Sequence, residues 1–434
     1  MKEKTNVLII GSGGREHSLG WKLKQSKFVD NIYFIPGNGG TKLLGENISI
    51  EKNDFQKIKE IVESKNITLT VVGNEEFLVN GIVDFFYEEN LPKKNHFIFG
   101  PTKLASEIEG SKSFAKNFMI KNKIPTAEFF IFKNFSDAEN YLKNCNYPIV
   151  IKANGLAAGK GVAICNNQFE SITTAKNYLI EKTLGESGNE IIVEEFLSGK
   201  EISILAISDG NTIKPFLSVQ DHKKIFDGDN GPNTGGMGAY SPIPFVSKKI
   251  MDEVYNTILV PTIAGLKNEG RKFCGCLFAG LMFTKNGIKV LEFNCRFGDP
   301  ETQPLMQLLE NDLYELLMSC SDSNYKKKIS ELDFKFTNKY ACCVVASSNG
   351  YPNKYEIGKE IFGLEKIDST TTTVFHAGTK FENGKFFTNG GRVLNVVSLG
   401  NNLNETIQTA YNEIKKISFD GIYFRNDIGH CGLK

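Results

Sequence analysis

Residues Val290 to Pro304 read VLEFNCRFGDPETQP, and Glu292, Asn294 and Arg296 alternate there with Leu291, Phe293 and Cys295. The alternation predicts a strand with one oily face and one polar face, because alternate side chains of a strand project to the same side. A carboxylate, a carboxamide oxygen and a guanidinium then reach into one space. That trio suits a magnesium-bound phosphate: Mg²⁺ takes hard oxygen ligands, and arginine pairs with an anionic oxygen through its rigid fork of donors. A half-exposed strand with a solvated polar face is the other reading of the same alternation.

Working outward, the chain divides into stretches of different pattern. Within residues 1–102, the apolar runs Val7 to Ile10, Ile32 to Ile35, Leu69 to Val72 and Phe97 to Phe99 are separated by helical patterns. Strands alternating with helices imply a parallel-sheet α/β domain. Gly100-Pro101 punctuates the chain, and Leu104, Ile108, Phe114, Phe118 and Met119 then follow with near-helical spacing. Residues 123–188 read as a small α+β lobe inserted into a core made of 103–122 and 189–322. Its strands are expected at Ala127 to Phe132, Ile149 to Ala153 and Val162 to Cys165, and its helices run through Tyr141 and Leu179. The core continues to a helix from about Gln303 to Met318, and a C-terminal α+β domain is expected over 323–434. The fold class is thus multidomain, α/β followed by α+β.

Four segments between these elements are candidates for chemistry. Gly11-Ser12-Gly13-Gly14 joins a strand to a helix, so its amides and the helix N-terminus suit a phosphate, or its glycines serve packing alone. The dinucleotide fingerprint is incomplete, since Glu16 stands where the third glycine belongs. Ile149 to Val162, IVIKANGLAAGKGV, places Lys152 in a strand and Lys160 in a loop with Gly155, Gly159 and Gly161. The spacing fails the Walker pattern and fits a hairpin over a nucleotide, or a glycine-rich turn with incidental lysines. Ile191 to Leu197, IIVEEFL, is a buried strand whose end suits an adenine, with Glu201 available to ribose hydroxyls, although acids at a strand end are commonly just solvated. Gln220 to Pro242 reads as a long functional loop in which Asp221, His222 and Lys223 cluster, the histidine being a base, an orienting group or a structural residue.

Composition excludes several classes. With 51 basic and 50 acidic residues, the chain offers no global charge for nucleic acid or an anionic membrane. Its longest apolar run, Cys276 to Phe283, is too short to span a bilayer, and the run Val7 to Ile10 is too short for a signal peptide. Nine cysteines without a CxxC pair favour free thiols in a reducing cytoplasm. Monomer and homodimer both remain open, the monomer being favoured.

Taken in order, GSGGREH at Gly11 to His17, PGNGGT at Pro36 to Thr41, EGSKSFAK at Glu109 to Lys116, IKANGLAAGKGV, VEEFLSG, QDHK, GPNTGGMGAYSP and EFNCRFGDPETQP resemble the phosphoribosylamine-glycine ligases, members of the ATP-grasp group. The resemblance spans nearly the whole chain, and the last two motifs carry most of its specificity. It implies ATP-driven joining of glycine to 5-phosphoribosylamine in purine biosynthesis through glycyl phosphate, with Mg²⁺ or Mn²⁺. It also implies roles: Lys112 and Lys152 on ATP phosphates, with Gly159, Lys160 and Gly161 in the lid loop. Glu194, Glu195 and Leu197 then form the adenine connector, Glu201 meets the ribose, and Glu292 and Asn294 hold the metal. Asp221 and Arg296 orient glycine, while Gly11, Gly13, Gly14, Asn38, Gly39 and Thr41 hold the ribose phosphate. The chain departs from the family's pattern at Asn154, where aspartate is usual, in the proline-free Gly73 to Phe77 stretch, and in a short C-terminus after Ile428.

Overall fold

The computed structural model describes residues 4–157 and 161–433. The N-terminal apolar runs pair as a parallel five-stranded sheet in the order Glu46–Asn47, Val29–Pro36, Thr5–Gly11, Ile67–Val72, Phe97–Phe99. Val7, Leu8, Ile9 and Ile10 are fully buried. Continuous burial is what a parallel sheet covered on both faces demands, and it explains why the runs read as unbroken apolar segments. The helix Gly14–Lys24 leaves the first strand directly and packs its Leu19 and Leu23 beneath the sheet.

The inserted lobe is a four-stranded sheet in the order Phe129–Phe132, Ile191–Glu195, Ile149–Ala153, Val162–Cys165, covered by helices Phe135–Leu142 and Gln168–Leu179. Ile191–Glu195 was expected in the core, beyond a boundary at 188, yet it is an inner strand of the lobe. Its continuous run of apolar residues needs a ladder partner on both sides. The chain therefore enters the core directly from the lobe's own sheet.

The core and the C-terminal unit share one further sheet. Its path runs Gly287–Asn294, Cys274–Thr284, Lys200–Asp209, Ile213–Asp221, Gly238–Ser241, Tyr340–Ser348, Arg392–Gly400, Thr372–His376, with Ile422–Tyr423 also paired to Tyr340–Ser348. The expected division at 322 and 323 therefore does not separate two sheets. Gly238–Ser241 is wholly buried, and Tyr340–Ser348 supplies the ladder that its second edge requires, in the register Gly238↔Val344.

Three local expectations change. The long loop predicted from Gln220 to Pro242 is largely strand: it completes Ile213–Asp221, forms the hairpin Lys224–Phe226 with Asn230–Asn233, and enters Gly238–Ser241. The helix expected from Gln303 to Met318 is two helices, Thr302–Leu308 and Leu313–Ser321, because Asp312 caps the second through the Tyr314 amide at 3.0 Å. Between Lys103–Gly110 and Lys112–Lys121, Ser111 makes a similar break and accepts from the Phe114 amide at 3.2 Å. Among the described residues no helix is long and apolar enough to cross a membrane, and all nine cysteines are free thiols.

Candidate active site

A cleft of about 960 Å³ lies where the N-terminal sheet, the lobe, the core and the C-terminal unit meet. Its capacity is at the upper end of the range for a small-molecule site. Val150, Val162 and Ile164 of the lobe face Met282, Leu291 and Phe293 of the core across it, with Phe196 and Leu197 at the connecting strand's end. Those apolar surfaces form a slot for a flat ring.

The strand Gly287–Asn294 carries the alternating polar residues, but its register jumps from Gly280↔Glu292 to Leu281↔Val290. This bulge turns Leu291 off the oily face and into the cleft wall, leaving Val290 and Cys295 buried beneath. The freed Leu291 carbonyl accepts Lys152 Nζ at 3.0 Å. Lys152 also lies 3.1 Å from Glu194 Oε1, while Lys116 Nζ lies 3.0 Å from Glu194 Oε2. All three side chains are buried, so two ammonium groups share one carboxylate. Glu194, expected in the adenine connector, uses its side chain to hold two lysines. Lys116 was not anticipated, although its place four residues after Lys112 puts the two on one helix face. Burial lowers the Lys116 pKa to about 8, against the upward pull of Glu194. Lys112 is likewise lowered, chiefly by burial, and donates to the Gly155 carbonyl at 3.0 Å.

Asn154 sits beside this group. Its Oδ1 accepts from the Ser113 amide at 2.8 Å and the Ser111 hydroxyl at 3.1 Å, capping the helix that carries Lys112. An amide oxygen meets that need as a carboxylate oxygen would. Glu195 lines the cleft and pairs with Lys289 at 2.5 Å, and Gly161 lines the cleft while its carbonyl holds the Ala153 amide. Gly159 and Lys160 lie outside the described residues.

Glu292 faces the cleft with no hydrogen bond or salt bridge among the described residues. Burial alone would raise its pKa, but Lys223, Lys152, Lys112 and Arg296 bring it below the usual carboxylate value. It is an ionised acid without a committed partner. Beside it, Asn294 Oδ1 accepts from Arg296 at 3.0 Å. Arg296 further reaches Glu75 at 3.1 Å and Glu109 at 3.3 Å. Burial opposes the Arg296 charge, and those two acids keep it protonated. Reciprocally, Arg296 and Arg15 bring Glu75 down to about 2 despite its burial. The three alternating residues do meet in one place, but the guanidinium is already paired.

A second cluster surrounds Lys223, whose ammonium lies 3.2 Å from Asp221 and 3.7 Å from Glu201. Glu301 joins it from the GDPE turn, 98% buried, accepting from Ser203 at 3.4 Å. Burial first, then the neighbouring Asp221 charge, pushes Glu301 up to about 8. Glu201 is raised for the same reasons, so it belongs to this acidic group in addition to lining the cleft. His222 is structural: burial lowers its pKa, and its Nε2 accepts from the Gly429 amide at 3.3 Å.

Part of the glycine loop of the N-terminal sheet already has partners within the protein. Gly11 has φ 138°, which suits glycine alone, and a side chain there would strike Glu16. The Glu16 carboxylate accepts from the Gly13 amide at 2.6 Å and pairs with Arg15, and Asp299 accepts from the Arg15 amide at 3.4 Å. Gly11 and Gly13 line the cleft, whereas Gly14 packs against Asn395 and Gln303. Asn38, Gly39 and Thr41 lie behind the wall. Asn38 Oδ1 accepts from the Gly40 and Thr41 amides at 2.9 and 3.0 Å, the Gly39 amide goes to the Thr379 carbonyl, and the Thr41 hydroxyl goes to Asn47. Their polar atoms tie the N-terminal sheet to the C-terminal unit.

That unit reaches the cleft through Arg392 and Tyr351, which the sequence reading did not single out. Arg392 Nη1 donates to the carbonyls of Asp299 at 2.6 Å, Gly235 at 2.7 Å and Gly236 at 3.3 Å. Only the assembled sheet brings these segments together.

Comparison with known proteins agrees with this architecture over the whole chain. The phosphoribosylglycinamide synthetase N domain matches residues 5–109, its ATP-grasp (A) domain 110–302, and its C domain 341–431. A phosphoribosylamine--glycine ligase of Clostridium acetobutylicum is 48% identical over 425 residues, covering 98% of this chain and 99% of that one. A crystal structure of a phosphoribosylamine--glycine ligase from Thermotoga maritima superposes with a TM-score of 0.81 at 33% identity, over 98% of this chain and 100% of that one. The biotin carboxylase domain of Hydrogenobacter thermophilus 2-oxoglutarate carboxylase, solved with MgADP and bicarbonate, has a TM-score of 0.71 at 15% identity, covering 98% of this chain and 92% of that one, a likeness of fold alone. With the fold, the cleft and three successive domain matches in agreement, this chain belongs to the phosphoribosylglycinamide synthetase family of ATP-grasp ligases.

Proposed function

We propose that the cleft joins glycine to 5-phosphoribosylamine at the expense of ATP, giving glycinamide ribonucleotide, ADP and phosphate in purine biosynthesis. The observation that carries this reading is the ionised Glu292, without a hydrogen-bond or salt-bridge partner among the described residues, facing the lysines 112 and 152. An uncommitted acid awaits a cation, and a cationic group with two lysines on one carboxylate awaits anions. A metal nucleotide supplies both. Glu292 and Asn294 offer hard oxygen donors suited to Mg²⁺, or Mn²⁺, which when bound neutralises charge on the transferring phosphoryl group.

Adenine fits the slot between the lobe and Leu291, with its edge at the backbone of Glu194 to Leu197. Lys152, held by Glu194 and the Leu291 carbonyl, then points with Lys112 at the phosphates. A carboxylate in water lacks a leaving group, so glycine's carboxylate first attacks the γ-phosphoryl group. Phosphate then leaves as the phosphoribosylamine nitrogen attacks the glycyl carbonyl. Asp221 and Glu201 around Lys223 suit glycine's ammonium, and Arg296 fixes the position of Asn294. Fixed charges therefore account for catalysis without a covalent nucleophile. The lobe excludes water from the acyl phosphate by closing over ATP.

All of these residues come from one chain, which supports a monomer as the working unit, and nine free thiols support a reducing cytoplasm. The test is ADP release with Mg²⁺, ATP, glycine and freshly generated phosphoribosylamine, each omitted in turn. Full turnover is expected only from the complete mixture; equal release without the amine contradicts the proposal.

A further inference from the structure

The geometry points to Arg392 and Tyr351 of the C-terminal unit as the seat of an anionic phosphate, the 5-phosphate of the sugar amine. This inference rests on the ligase reading and assigns its second substrate a side-chain handle in addition to the backbone of the glycine loop. One terminal nitrogen of Arg392 is clamped by the carbonyls of Asp299, Gly235 and Gly236. Its Nε and Nη2 have no partner among the described residues, and the side chain is 20% exposed, within the cleft lining. The guanidinium is thus fixed at one corner and open along the edge that binds two oxygens of a phosphate at once.

The corner is built for this placement. A side chain on Gly235 would come within 2.8 Å of the guanidinium carbon, so only glycine lets the plane lie there. The Gly235 amide donates to the Tyr351 hydroxyl at 3.0 Å, which leaves that hydroxyl's own proton free to donate outward. Asp299 lies on the clamped side, 3.6 Å from Nη1, and its charge is also shared with Arg15 and Gln303. The open edge therefore meets no acid of the described residues within salt-bridge distance.

The nucleotide is not the source of this phosphate. The groups whose electrostatics bear on Arg392 are Asp299, Tyr351, Glu301 and Asp221, whereas Lys112 feels Glu292, Lys152, Glu109 and Glu194. The acidic cluster around Lys223 separates the two cationic groups, and in the ligase reading it receives glycine. An acceptor amine entering beyond glycine places its phosphate tail against the Arg392 corner.

The test uses the full chain, with ribose 5-phosphate, ribose and a nonhydrolysable ATP analogue as probes of binding by calorimetry. Ribose 5-phosphate is expected to bind the unaltered protein and to bind Arg392→Gln at least roughly tenfold more weakly, ribose to bind neither, and the ATP analogue to bind both equally. In turnover, the KM for phosphoribosylamine rises by the same factor while the KM values for ATP and glycine hold. Tyr351→Phe, which preserves the ring packing, shifts the same two quantities by a smaller factor and guards against misfolding of the arginine variant. No affinity of the unaltered protein for ribose 5-phosphate, equal affinity in both variants, or a loss confined to the ATP analogue overturns the proposal. ADP release that ignores the amine in the unaltered protein sinks the ligase reading instead, and the binding comparison still decides whether the corner takes a phosphate.

Discussion

The two glycine-bearing ends of the cleft invite the same reading and differ in one physical respect. Beside the lobe, Lys152 and Lys116 share the single carboxylate of Glu194, and Glu292 has no hydrogen-bond or salt-bridge partner among the described residues. At the N-terminal loop, by contrast, Glu16 and Asp299 already take the amides of Gly13 and Arg15. At one end an acid lacks a partner among the described residues, and at the other the acids are paired. A glycine loop signals that side chains are excluded, whereas unmatched buried charge signals that a ligand is expected, because charge left unpaired away from water is costly.

The largest way to break this comparison is Glu292→Ala. Its loss is expected to cut glycine-dependent ADP formation by about a hundred- to a thousandfold while circular dichroism stays unchanged. Turnover near that of the unaltered protein would show that the uncommitted acid is idle. Next, Glu16→Ala opens the paired end. It leaves Arg15 short of a buried partner and the Gly13 amide without an acceptor, so the unfolding free energy is expected to drop by about 3 kcal/mol. A denaturant midpoint that does not move would show that the loop is not closed by Glu16.

The acidic cluster sharpens the contrast through pH. Glu301 binds its proton more readily in the folded chain than its ordinary value of 4.5 allows, up to about 8. The stability this contributes is complete below about 4.5 and is lost as pH rises through about 8. Glu301→Gln, permanently neutral, is expected to flatten the decline of Tm across that interval. Parallel profiles for the two proteins would refute the buried, protonated acid. The smallest effect belongs to Asn154→Asp. Since among the described residues only Oδ1 is used, in capping the helix of Lys112, kcat/KM is expected to change less than about threefold, with a few tenths of a kcal/mol gained at the helix N-terminus. A tenfold change in rate would give the missing carboxylate a chemical role.

The parallel sheet was legible because its strands are local apolar runs, and the armed strand was legible because Glu292, Asn294 and Arg296 alternate. The Leu291 bulge was not, since nothing in the alternation distinguishes a side chain turned by an extra residue from one in register. Glu194 illustrates a similar limit. Its place at a strand end was visible, but its two lysines come from a helix and a neighbouring strand, so its role is a product of packing. The same holds for Arg392, whose partners Gly235 and Asp299 are remote in sequence. The break between Gln303 and Met318 depended on one cap, Asp312, hidden in an otherwise helical pattern. Motifs reported chemistry wherever the reacting groups were neighbours along the chain, and failed wherever three segments had to converge.

The central claim is that this cleft activates glycine's carboxylate as an acyl phosphate. Glycine labelled with ¹⁸O in its carboxylate, turned over with ATP and phosphoribosylamine, tests it directly through the mass of the released phosphate. The account predicts one labelled oxygen per phosphate, carried across when the carboxylate attacks the γ-phosphoryl group. Unlabelled phosphate would contradict it.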